Sequence, residues 1–88
     1  MGKRGYPPLR PREVIDIVEA LGFQFKRQNG SHRHYERFAE GDRARALVTI
    51  DMSYDEINDP RLIKSLIRQA QSMKELFYGA TKSTGRKI

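Results

Sequence analysis

At Asn29-Gly30 the chain has to turn back on itself. Both residues tolerate positive φ, and they separate two short runs with strand-like alternation, FQFKRQ over 23–28 and SHRHYERF over 31–38. An Asn-Gly pair in that setting is the strongest short-range hairpin signal a sequence offers. A second turn around Glu40-Gly41-Asp42 leads into ARALVTI over 44–50, where Ala46, Val48 and Ile50 alternate inward. Two turns and three runs predict a three-stranded antiparallel meander.

Helical periodicity flanks it on both sides. Val14, Ile17, Val18 and Leu21 recur at i, i+3, i+4 and i+7, Pro11 suits a first turn, and Gly22 stands where a C′ glycine ends a helix. Asp59-Pro60 reads as an N-cap followed by N1. From there Leu62, Ile63, Leu66, Ile67, Ala70, Met73 and Phe77 predict one continuous core-facing helix, which Gly79 ends. Phe23, Phe25 and Tyr35 are expected in the core with them. The order helix, three strands, helix is an α+β fold with both helices on one sheet face. Residues 10–78 form the single domain in this reading. Residues 1–9 and 79–88 are a basic arm and a basic tail, both expected to be flexible.

Eighty-eight residues suffice for one small core. The chain has no cysteine, which excludes disulfides, thiolate metal sites and cysteine nucleophiles and fits a reducing, cytoplasmic setting. No apolar run approaches the ~18 residues of a membrane span, and no apolar segment follows the N-terminus as a signal peptide requires. Met1-Gly2 fails as a myristoylation start because Tyr6 replaces the required hydroxyl residue. Seventeen Lys and Arg against eleven Asp and Glu give a net charge of +6, an excess that suits a polyanionic partner such as nucleic acid.

Both histidines, His32 and His34, lie in the return strand just after the turn. Residues i and i+2 share a strand face, so they point the same way, with Glu36, while Tyr35 points toward the helices. Two imidazoles and an optional carboxylate are too few, at the wrong spacing, for a metal site, and no metal or other cofactor is expected. Two readings of the histidines stay open on spacing alone. They are solvated surface residues, or they transfer protons in phosphodiester cleavage, since imidazole titrates near neutrality. For the second, Lys26, Arg27, Arg33 and Arg37 on the same hairpin offer charge for the transition state, and Gly30 lets the backbone approach a phosphate.

The segment NGSHRHY at 29–35, with EVIDIVEALGF before it and ALVTI and LIKSLIRQA after it, resembles HicA-type (YcfA-like) toxins over about residues 10–72. The resemblance implies an α-β-β-β-α fold like a double-stranded RNA-binding domain. It implies a metal-independent mRNA interferase, the toxin of a toxin–antitoxin pair, whose HicB-like antitoxin covers the active site. The family's catalytic histidine falls on His32, after Gly30-Ser31; His34, Gly30, Ser31 and Arg33 are candidates for a second catalytic or substrate-contacting role. After the third strand the chain departs from the family, with Asp51-Met52-Ser53 in place of a common proline and second histidine.

On the last predicted helix Arg61, Lys64 and Arg68 form a basic stripe at i, i+3 and i+7. They read as an RNA phosphate track with Lys26, Arg27 and Arg37, or as a solvated helix face. Lys3, Arg4, Arg10 and Arg12 add an acid-free basic run. The alternative to a ribonuclease is an RNA-binding module of the same fold without chemistry; a weaker one is a protein whose basic surface serves only an acidic partner. Tyr54 and Tyr78 could stack on unpaired bases.

Overall fold

The computed structural model describes residues 5–88, so Lys3 and Arg4 of the basic arm lie outside the described residues. The elements run α1 (Pro11–Ala20), β1 (Gln24–Asn29), β2 (His32–Arg37), β3 (Ala46–Asp51), α2 (Pro60–Gln69), α3 (Lys74–Tyr78) and α4 (Lys82–Gly85). The strands form one antiparallel sheet in the order β1-β2-β3. Both α1 and α2 pack on β3. This is the expected α+β arrangement, consistent with a double-stranded RNA-binding-domain-like fold.

Local chemistry sets the ends of α1 and α2. Arg10 N–H donates to Glu13 Oε1 at 2.9 Å, and Gly22 takes φ +97° after α1. Asp59 caps α2, its Oδ1 accepting from Arg61 N–H at 2.9 Å. The hairpin differs from expectation by one residue. Asn29 pairs with His32, so the loop is Gly30-Ser31, and Gly30 alone takes positive φ, at +59°.

The core is assembled from the α1 stripe (Val14, Ile17, Val18), Phe23, Tyr35, the inward trio Ala46, Val48 and Ile50, and Ile63, Leu66 and Ile67 of α2. Burying each branched aliphatic side chain is worth about 1.5–3 kcal/mol. Three expected core members lie outside it. Phe25 shares a face with its partner Tyr35 but is 49% exposed, on an edge strand whose register shifts between Phe25 and Arg27. Leu62, in the first turn of α2, is 38% exposed, and Met73, just before α3, is 58% exposed.

The predicted long last helix is broken. Gln71 adopts φ +55°, held by the Arg37 guanidinium, which donates to its Oε1 and to Ala70 O. The chain then restarts as α3, which buries Phe77 and Tyr78. The tail is likewise docked rather than free: α4 buries Thr84, whose Oγ1 donates to Tyr78 O at 2.6 Å. The described end of the arm is also docked. Leu9 is fully buried and pairs with Ile57, and Pro7 O accepts from Tyr78 Oη at 2.7 Å.

Candidate active site

Directly opposed residues of an antiparallel sheet point to the same face. The register therefore lays out rows across the open face, away from the helices. Asn29, His32 and Asp51 make the first row, and Arg27, His34 and Thr49 the second. Glu36 opposite Leu47 begins a third. The other face takes Tyr35 opposite Val48 and Arg33 opposite Ile50.

In the first row His32 Nε2 lies 3.6 Å from Asp51 Oδ2, and the imidazole remains half exposed. That separation exceeds a hydrogen bond but is within the range of an ion pair. Asp51 is fixed by its own turn: Oδ1 accepts from Ser53 N–H at 2.9 Å and from Ser53 Oγ at 2.7 Å. Those bonds, with smaller contributions from nearby Ser31 and His32, hold its carboxyl below the usual aspartate range. Ser31 ties the rim together from the other side, its carbonyl accepting from Met52 N–H at 2.7 Å.

In the second row His34 Nδ1 lies 2.9 Å from Thr49 Oγ1. Arg27, its partner on β1, makes no ion pair among the described residues. In the third row Glu36 is clamped between Arg45 Nε and Lys26 Nζ, the latter at 3.3 Å. Arg45 first, then Lys26, hold its carboxyl below the normal glutamate range. Asp51 also lines a small cleft of about 100 Å³ between β3 and α2, with Tyr54 and Leu62 on its walls.

The residues proposed from the sequence thus separate. His32, His34 and Arg27 share the open face, with Gly30 and Ser31 at its rim. Arg33 does not join them. It turns to the opposite face, its guanidinium 4.7 Å from the Phe25 ring centroid and 5.7 Å from that of Tyr35. Arg37 is committed to Ala70 O, Gln71 and the Phe23 ring, Lys26 to Glu36, and Arg61 to Asp59 at 3.1 Å. Lys64 and Arg68 have no carboxylate within 4 Å among the described residues. Tyr78 is buried and bonded to Pro7 O, so it is not a stacking platform. Asn29 and Asp51 are additions to the sequence reading: the Gly30-Ser31 loop sets Asn29 opposite His32, whereas the Asp51 pairing is made across the 38–45 connection.

A small α+β domain that presents an imidazole on the bare face of a three-stranded sheet is the class of protein this geometry defines. A family profile described as HicA toxin of bacterial toxin-antitoxin matches residues 11–71. The chain belongs to the HicA toxin family, and its function is that of a toxin in a toxin–antitoxin pair, which implies an antitoxin partner. Neither a curated protein nor a solved structure matches it. Among the described residues no group of three or more His, Asp and Glu side chains could hold a metal ion, and no helix is long and apolar enough to cross a membrane.

Proposed function

We propose that the chain is a metal-independent endoribonuclease, an mRNA interferase acting in the cytoplasm, with His32 as its catalytic residue and a HicB-like antitoxin as its partner. The observation that carries the reading is the row Asn29–His32–Asp51: a half-exposed imidazole beside a fixed carboxylate, on an open face, in a HicA toxin.

The chemistry follows from that row. The Asp51 carboxylate beside Nε2 favours a proton on that nitrogen and leaves the Nδ1 lone pair for substrate. Nδ1 takes the proton of a ribose 2′-OH, the 2′-oxygen attacks the adjacent phosphorus, and the bond to the 5′-oxygen breaks. That oxygen leaves with a proton from solvent, and the products are a 2′,3′-cyclic phosphate and a 5′-hydroxyl. The Asn29 amide and the Arg27 guanidinium, on the same face, offer N–H donors to the phosphoryl oxygens as negative charge builds. Gly30 and Ser31 form the rim against which the substrate backbone lies, and Tyr54 offers a ring to a neighbouring base. Arg33 acts indirectly, by holding Phe25 against β2.

The test is cleavage of a labelled single-stranded RNA in EDTA by the wild type and by His32→Ala, with both shown folded by circular dichroism. The expected result is cleavage by the wild type and a loss of about 10²–10⁴-fold in the variant. If neither protein cleaves while both bind RNA equally, the chain is an RNA-binding module and the catalytic assignment falls.

A further inference from the structure

Four lysine and arginine side chains of the described residues are in ion pairs: Lys26 and Arg45 with Glu36, Arg61 with Asp59, Lys87 with Glu13. Three others gather in a single place without one. Lys64 and Arg68 of α2 and Lys74 of α3 line a cleft of about 330 Å³ with Tyr6 and Ser72, and no carboxylate contributes to its wall. The Lys64 and Lys74 ammonium groups stand 5.3 and 5.0 Å from the centroid of the same Tyr6 ring.

That arrangement is built rather than incidental. A free lysine samples many rotamers, and ordering it costs entropy. Here the ring quadrupole attracts both ammonium groups and restrains them. The ring is itself held in place, because the next residue's carbonyl accepts from buried Tyr78 and Leu9 is locked into the core. Two ammonium groups and a guanidinium, brought together without a counter-charge, repel one another until an anion enters.

We propose that this cleft binds a backbone phosphate of the RNA substrate. The proposal rests on the ribonuclease reading for the identity of the polyanion. The phosphate held here is not the one cleaved. Ser72 lies next to Gln71, whose side chain binds Arg37 at the end of β2 opposite His32. Six residues of strand separate those ends by about 16 Å at ~3.3 Å per residue. The cleft therefore anchors the chain some nucleotides away from the imidazole, and the contact carries no sequence information.

The experiment uses the full chain carrying His32→Ala, so that the RNA stays intact, and a fluorescein-labelled 20-nucleotide single-stranded RNA. Affinity is read by anisotropy between 50 and 200 mM KCl. The added pair Lys64→Ala/Lys74→Ala is compared with the exposed pair Lys82→Ala/Arg86→Ala, which removes equal charge elsewhere. Loss of two phosphate contacts should lower the slope of log K against log salt by about 1.4, at ~0.7 per phosphate on a single strand. Affinity should fall roughly tenfold, while the control pair changes the slope by less than half as much. Equal effects of the two pairs would mean diffuse charge and overturn the proposal, as would an unchanged slope in the cleft variant. Retained RNA binding with lost antitoxin binding would make the cleft a protein-docking surface and equally overturn it. Should wild-type protein bind RNA without cleaving it, the slope test still decides the cleft while the catalytic reading fails.

Discussion

His32 and Asp51 face each other as register partners across β2 and β3, with Nε2 and Oδ2 3.6 Å apart. The two sides of this contact are unequally constrained. Asp51 is bonded twice to Ser53 and cannot swing away without opening the turn that follows β3. His32 is half exposed, and its Nε2 stands just beyond hydrogen-bond distance of the carboxylate.

In the proposed mechanism Asp51 is a positioning residue, and its removal should affect turnover more than substrate binding. Asp51→Asn keeps the shape and the bonds from Ser53 but loses the charge. Its kcat should fall by up to about 10²-fold, comparable with a small misplacement of a reacting group, while KM changes less than threefold. Asp51→Glu should recover part of the rate. A purely structural role would instead lower Tm in both variants and leave the kcat of the folded fraction intact, a pattern that paired steady-state kinetics and thermal melts would expose.

His34 has a different task. Its Nδ1 is engaged by Thr49, so the pair ties the middle of β2 to β3. Thr49→Val removes the hydroxyl at nearly constant volume and should cost about 0.5–1.5 kcal/mol in urea unfolding, the net worth of one such bond. His34→Ala should be destabilised similarly and cleave RNA within about threefold of the wild type. A rate loss as deep as that of His32→Ala would instead make His34 the second proton-transfer group.

How much of this was legible in advance depended on whether the deciding contact was local. The α1 stripe with Gly22, the Asp59-Pro60 cap and the Ala46, Val48, Ile50 alternation each rest on neighbouring residues, and each appears as read. The break after α2 does not. Ala70, Gln71 and Ser72 carry no helix-stopping residue, and Gln71 is held at positive φ by an arginine 34 positions earlier. The alternation of β1 hid the register shift at Phe25, and placing the turn one residue early concealed that Asn29 faces His32. The His32–Asp51 pairing spans the 38–45 connection, so no local pattern announces it. Arg33 differs from the reading for a simpler reason: strand alternation assigns it to the face opposite its two histidine neighbours.

Glu36 should set part of the acid limb of stability. Arg45 and Lys26 hold its folded-state carboxyl below the ordinary value of 4.5, so folding favours the ionised form. Its contribution is complete above that value and is lost as pH falls through the depressed folded-state value. Glu36→Gln has lost it at every pH. Melts from pH 7 down to pH 3 should show the wild type well above the variant at neutral pH and the two curves converging in acid. Parallel curves would mean that the clamp on Glu36 contributes nothing to the pH dependence.

Thr84 gives the clearest test of the docked C-terminal segment. It is fully buried, and its hydroxyl donates to Tyr78 O at 2.6 Å and lies 2.6 Å from Thr81 Oγ1. Thr84→Val preserves the volume but strands the Tyr78 carbonyl without its donor, which should cost about 1–3 kcal/mol. Thr84→Ser restores the donor and should recover most of that loss. Because α4 packs on α3, and Tyr78 of α3 anchors Pro7, the valine variant should also accelerate amide hydrogen exchange in residues 79–88 and around Leu9. Were the segment free, the three proteins would share one Tm and one exchange profile there. A valine variant indistinguishable from the wild type would therefore return residues 79–88 to the role of a basic tail.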